Sequence, residues 1–472
     1  MAIVGGGISG VAAAFFLRDS GAAVTVLEGS PQVGGKLAVS EIAGVAVDEG
    51  AEALLARRPE GTDLIAAVGL DGQLTWPGTT VAAIWTRGRL RPLPRRQFLG
   101  VPADLDELES TSVLSADGMA RARDDLRLPA TERDADVAVA SQVGARFGQE
   151  LVDRLVDPLL GGVYAGRSEE LSFEATMGGL AQASRQNRSL AMAAASLLPP
   201  SQAPASAAAP APVFTTLSEG LGTLPPAVAA ASGATVRTGA MTRELTRTGS
   251  GWRLTIGSAH SPEYLNADAV ILAVPATPAA RLLNRVPGAA AAAAALAEFS
   301  YASMAIVTLA YPRDAFGQPP QRSGYLVPAV DGRSVKAVTF STVKWPHLRE
   351  RGEMEIVRCS VGRVGEEALL QRDDTELAGL AAADLTAATG VRGAPAAVRV
   401  SRWGGGLPQY AVGHLDRVAR VRTGVAALPG VAVCGAAYDG VGVPACIATA
   451  RQAAGQVLDY LGSRAAAAAA AR

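Results

Sequence analysis

Three glycines near the start of the chain, Gly5, Gly7 and Gly10, have the spacing of a turn that receives a diphosphate. Each serves a separate need. Gly5 permits the tight turn, Gly7 lets a pyrophosphate approach the backbone, and Gly10 lets a helix pack closely on a strand. Ile8 and Ser9 open that helix, where unpaired N–H groups and the positive dipole end face the phosphates. Glu28 follows about 20 residues on, where a carboxylate accepts hydrogen bonds from a ribose. Together these residues read as a dinucleotide site.

A second glycine-rich turn lies near the C-terminus. Residues 435–443 separate an apolar strand, 431–434, from a helix expected over 444–458, with Pro444 at a favourable first position. Gly435, Val441, Gly442 and Val443 can present N–H groups to a ring that gains negative charge on reduction. Between the two turns lie Gly34, Gly35 and Lys36, and an acidic-glycine segment containing Gly50, Ala51 and Glu52. Both resemble flavoprotein segments that follow the acidic strand end, which favours FAD over NAD. Met241 completes the expected cofactor set.

These residues need a scaffold. Residues 2–4 read as a strand, 8–18 as a helix and 22–27 as a second strand, a βαβ unit over a parallel sheet. The polar stretch 87–150 is expected to carry several helices. Thr131 and the three residues after it set up a capped start, and 136–147 keeps an apolar stripe. Residues 199–212, almost wholly Pro, Ala and Ser, read as a linker. Strand-like runs return at 235–237, 252–256, 269–274 and between 325 and 361. Of two alanine runs, 289–295 reads as helical and 465–471 as a frayed tail.

A chain of 472 residues suggests two or three domains at about 150 residues each. Hydrophobic residues at 49% and charged residues at 18% describe a globular chain with a large core. Lys plus Arg, 43, nearly balance Asp plus Glu, 44, so no net field points to nucleic acid. Cys359, Cys434 and Cys446 lack CxxC spacing, which argues against a disulfide framework or a zinc site and fits a reducing compartment. No secretory signal or run of about 20 apolar residues is found, so the expectation is a cytoplasmic protein that at most lies against a membrane surface.

Four further segments carry a specific resemblance: residues 157–166 (DPLLGGVYAG), 214–221 (FTTLSEGL), 407–414 (LPQYAVGH) and 440–447 (GVGVPACI). With the glycine motifs, the chain resembles the protoporphyrinogen/coproporphyrinogen oxidase branch of the FAD-dependent amine-oxidase-like flavoproteins. The resemblance implies an α/β fold in which a Rossmann-type FAD-binding domain interleaves with an α+β substrate domain, built on a mixed sheet, and a helical domain. The expected division is 1–75, 213–285 and 423–472 for FAD, 76–92, 176–198 and 286–422 for substrate, and 93–175 helical. It further implies non-covalent FAD and a reduced tetrapyrrole substrate. Hydride passes to flavin N5 over repeated cycles that remove six electrons, and oxygen is reduced to hydrogen peroxide. The early first strand and the apparent insertion before Phe214 depart from the family.

Coproporphyrinogen carries four propionates and so calls for more cationic groups than protoporphyrinogen. Arg87, Arg89, Arg91, Arg95 and Arg96 cluster around a proline-rich turn, read either as a solvated loop or as propionate ligands, foremost Arg91, Arg95 and Arg96. Tyr164 and Tyr410 are candidate pocket aromatics or core residues. His260, His347 and His414 announce no acid–base pair, and no catalytic residue is assigned. The soluble bacterial coproporphyrinogen-oxidising subgroup is the favoured reading. Protoporphyrinogen IX, another flavin amine-oxidase-like substrate, and a non-catalytic binding role are its rivals. Contact with a membrane surface or a ferrochelatase-like partner is compatible with the resemblance, and oligomeric state is left open.

Overall fold

The computed structural model describes residues 1–131, 134–199 and 212–470. Residues 200–211, most of the expected linker and insertion, lie outside the described residues, as do Glu132 and Arg133.

Five short parallel strands form the first sheet, in the order Thr235–Arg237, Thr25–Leu27, Ala2–Val4, Val270–Leu272, Val431–Val433. Alternation along these strands sorts their side chains to two faces. Ile3, Val26, Ile271 and Ala432 join one core, packed with helices Ile8–Phe16, Leu224–Ala231 and Val443–Ala470. Ala2, Val4, Leu27, Val270 and Leu272 join the other. That second core is covered by an antiparallel sheet, Thr242–Arg247, Trp252–Ser258 and Ser261–Ala267, and by helices Ala276–Leu283, Ala290–Ala297 and His414–Ala426. Ligands in such sheets meet the carboxyl ends of the strands, and the glycine turns after Val4 and Val433 lie there.

A seven-stranded mixed sheet forms a second body, in the order Ala397–Pro408, Tyr301–Pro312, Met354–Val361, Val335–Phe340, Gly324–Leu326, Ala82–Thr86, Arg89–Pro92. Only the pair Gly324–Leu326 with Ala82–Thr86 is parallel. One face packs Val338, Phe340, Val357 and Cys359 against helix Asp374–Thr389. A third core gathers helices between Leu105 and Ser196, including Val139–Phe147 and Asp157–Tyr164.

The expected capped start at Thr131 is corrected. The helix begins at Val139, and its N-cap is Ala138, which has no polar side chain to cap it; the nearby Asp136 carboxylate accepts from Ser172 Oγ at 2.9 Å and Gly413 N at 2.8 Å. The last helix starts at Val443 and runs to Ala470, so residues 465–470 of the alanine run continue it, and Ala471 lies outside the described residues. Alanine has the best intrinsic helix propensity and extends an anchored helix readily.

Candidate functional site

Gly5 has φ +106°, and an added Cβ there would fall 2.8 Å from the carbonyl oxygen of Ala273. At Gly10 a Cβ would overlap the carbonyl oxygen of Gly5, so helix and turn come together only without a side chain. Gly7 is different: a Cβ would meet nothing nearer than Gly35 Cα at 4.0 Å. Gly7 is the N-cap of helix Ile8–Phe16 and supplies no side-chain cap. The first amides of that helix have no intrahelical acceptor and face an open approach. Glu28 directly follows its strand, and its carboxylate accepts from Gly6 N at 2.6 Å, Ser30 N at 2.8 Å and Ser30 Oγ at 2.7 Å. The half-exposed side chain of Met241 lies over Gly29, whose missing Cβ makes room for it, and forms a ledge beside Glu28.

The intermediate motifs converge on the same place. Gly34 N donates to Gly6 O at 2.9 Å and Gly34 bridges Gly7, so the second glycine pair lies directly on the first turn. Burial lowers the Lys36 ammonium from its ordinary value, and Cys446 acts on it from the last helix. A Cβ on Gly50 would overlap Lys36 O, and Ala51 N donates to that oxygen at 3.3 Å. Glu52, in contrast, turns toward the mixed sheet. It accepts from Ser341 Oγ at 2.9 Å and pairs with Lys344 at 3.0 Å and Arg358 at 3.3 Å. Burial raises its pKa, but the two cations outweigh that and hold it at about 2. Arg358 also donates to Gly50 O at 2.7 Å. Lys344 and Arg358 escaped the sequence reading because a cation in a strand or short helix carries no spacing signal. The Asp48 carboxylate, pushed up to about 6 by burial, accepts from Leu221 N and Gly222 N.

The C-terminal turn meets the N-terminal one. A Cβ on Gly435 (φ +130°) would find only Ser9 Oγ, at 3.9 Å. Gly435 N donates to Thr449 Oγ1 at 3.0 Å, from the following helix. A Cβ on Gly442 would meet only Pro444 Cδ, at 3.8 Å, and Val441 packs partly exposed against the helical core. Val443 is buried in the first core, so only its backbone is left to a ligand. Glycine backbone with room beside it at 7 and 442, two helix starts and a partly buried lysine suit a diphosphate-linked flavin. The residues present fit FAD.

Of the candidate substrate residues, two are brought together: the Tyr164 and Tyr410 rings are 5.5 Å apart and tilted. Arg91 pairs with Ile84 across its hairpin and so shares its face. Ile84 belongs to the same core as both tyrosines, and Arg91 Nε is buried without a partner. Arg95 and Arg96 are separated from this group. The Arg95 side chain is 91% exposed and pairs with Glu107 at 3.1 Å, whereas Arg96 donates to Pro199 O at 3.0 Å. Arg87 pairs with Glu150. His414 is fully buried, and burial lowers its pKa to about 4.

The family model for flavin containing amine oxidoreductases matches residues 8–458. Coproporphyrinogen III oxidase of Bacillus subtilis is 31% identical, over 97% of this chain and 98% of that protein. The enzyme of that name from Mycobacterium bovis is 37% identical over 97% of each. A solved structure from Exiguobacterium sp. 255-15, provisionally named a protoporphyrinogen oxidase, superposes with TM-score 0.83 at 30% identity, covering 97% of this chain and 98% of that one. Among the described residues no helix is long and apolar enough to cross a membrane.

Proposed function

The chain belongs to the flavin-containing amine oxidoreductase family, and on that premise we propose that it oxidises coproporphyrinogen III to coproporphyrin III with non-covalent FAD. The observation that carries this reading is likeness, over nearly the whole chain, to two curated coproporphyrinogen III oxidases. When bound, FAD supplies a two-electron acceptor that takes hydride from the macrocycle and is reoxidised by oxygen. Three cycles remove six hydrogens and turn three oxygen molecules into three of hydrogen peroxide.

The protein's own part is to bind and orient. The amides at Gly7, Ile8 and Ser9 hold the pyrophosphate together with the Gly34–Gly35 loop and Lys36, and Glu28 takes the ribose. Gly50 and Ala51 with the backbone of 441–443 line the flavin side, beside Gly435, whereas Met241 lies with Glu28 on the ribose side. Arg91 and Tyr164 are the proposed substrate contacts; an arginine with a buried, unpaired Nε is suited to a propionate. Arg95 and Arg96 serve only if substrate draws them from their present partners. No side chain is needed as nucleophile or dedicated base.

The division into FAD, substrate and helical parts is part of this reading, supported by the parallel sheet, the mixed sheet and the helical core drawing on different stretches of chain. Three free, buried thiols fit a reducing compartment, which we take to be the cytoplasm. Contact with a membrane surface or a ferrochelatase-like partner is left to binding experiments.

Aerobic turnover of coproporphyrinogen III beside protoporphyrinogen IX, followed by porphyrin fluorescence and peroxide release, tests the proposal. Faster turnover of the first is expected. Preference for the second would favour the alternative suggested by the Exiguobacterium structure's name. Bound FAD with turnover of neither would overturn the porphyrinogen reading.

A further inference from the structure

A turn as rich in glycine and alanine as 435–442 does not fix its own shape. Gly435 and Gly440 both adopt positive φ, and such residues lose more conformational freedom on ordering than any others. Something outside the turn must hold it. One hydroxyl does so from both sides: Tyr410 Oη donates to Ala436 O at 2.7 Å and accepts from Gly440 N at 2.7 Å. A single atom thereby closes the two ends of the turn.

We infer that Tyr410 is a positioning residue for the flavin, its hydroxyl setting the shape of the turn whose next amides face the cofactor. The inference rests on the reading of that turn as part of an FAD site. Tyr410 is itself immobilised by three elements. Its ring is 2% exposed and stacks on His414 at 3.7 Å with an interplanar angle of 15°. It also lies 5.5 Å from the tilted ring of Tyr164 on helix Asp157–Tyr164. Its carbonyl accepts from Ser172 N at 2.7 Å. His414, one turn further along, reaches the same segment: Nε2 lies 3.1 Å from Tyr438 O. Residues 410 and 414 thus grip the carbonyls of 436 and 438 and the amide of 440. Burial raises the phenol far above its ordinary value, so the hydroxyl stays a donor wherever the protein is folded. Dipoles fixed before the reaction cost no reorganisation during it, and this clamp fixes the backbone just ahead of Val441, Gly442 and Val443.

Tyr410→Phe keeps the ring, the stack on His414 and the contact with Tyr164, and removes only the hydroxyl. Each lost bond to a buried backbone group weakens the turn, and the FAD dissociation constant of reconstituted apoprotein should rise about tenfold. The visible flavin absorption should shift, and the Gly440 amide should exchange faster in the apoprotein. For porphyrinogen turnover, kcat should fall with KM unchanged. FAD affinity within twofold of wild type, an unmoved spectrum and unchanged Gly440 exchange would overturn the inference while leaving the flavoprotein reading intact. Wild-type protein that takes no FAD would overturn both. If the phenylalanine variant failed to fold, fluorotyrosine at 410 replaces it, since it keeps the shape and reports on the hydroxyl. A fluorine resonance that moves on FAD addition supports the inference, and one that stays put overturns it.

Discussion

The two glycine turns do similar work by different means. The N-terminal turn is shaped by backbone sterics: Gly10 must lack a Cβ because Gly5 O occupies the space, and Gly5 because Ala273 O does. Its second layer, Gly34 and Gly35, comes from the same early stretch of chain. The C-terminal turn is shaped by side chains outside it, Tyr410 on one side and Thr449 of the following helix on the other. A turn held by absent side chains leaves a repeating glycine signature. A turn held by a hydroxyl from a separate element leaves little beyond its own composition. The first should therefore fail completely on a single added side chain, and the second should fail by degrees.

The largest effect is expected at Gly10. Gly10→Val would drive a side chain into the Gly5 carbonyl, at a cost above about 4 kcal/mol. Purified protein should carry no flavin and unfold at much lower denaturant, as flavin content and circular dichroism will reveal. Full FAD occupancy in that variant would break the contrast outright.

An intermediate effect is expected where the flavin-side loop is tied to the mixed sheet. Glu52→Gln would leave the buried Arg358 and the partly buried Lys344 with no carboxylate between them, a loss of about 3 kcal/mol. The pH dependence has a definite sign. Glu52 has its folded pKa depressed from 4.5 to about 2. Its contribution is therefore fully present above about pH 4.5 and is lost as pH falls through about 2. Urea unfolding at pH 3 and pH 7 should show a smaller pH difference for Glu52→Gln than for wild type. Equal differences would remove Glu52 from the tie.

The smallest effects separate the arginines. Arg91→Gln should raise the KM for coproporphyrinogen III severalfold, whereas Arg95→Gln, at an exposed ion pair, should barely change KM or stability. Equal KM values for both variants and wild type would remove the run 87–96 from the substrate site.

Much of the geometry of the proposed cofactor site was legible because its chemistry is backbone chemistry. Gly5, Gly7, Gly10 and Glu28 follow a spacing set by one strand, one turn and one helix, and the structure assembles them as that spacing requires. Glu52 shows where such legibility stops. Its place in an acidic-glycine segment suggested the cofactor, yet its carboxylate is taken up by cations far along the chain, Lys344 and Arg358. The arginine run shows the same limit in reverse. Five neighbours in sequence looked like one patch, but a strand fixes Arg91 on the face of the helical core while Arg95 turns to solvent.

By itself, the sequence determined the family, the cofactor type and the parallel sheet that opens the chain. Those depend on local rules: helix and strand periodicity, and positions that tolerate no Cβ. The tertiary structure alone decided that Asp136 would tie Ser172 to Gly413, and that the two glycine turns would meet at Ser9 and Gly435. It also decided that Tyr410 would spend its hydroxyl on the backbone of a distant turn. A polar side chain takes whichever partner the folded chain brings within about 3 Å, and no spacing along the sequence encodes that encounter.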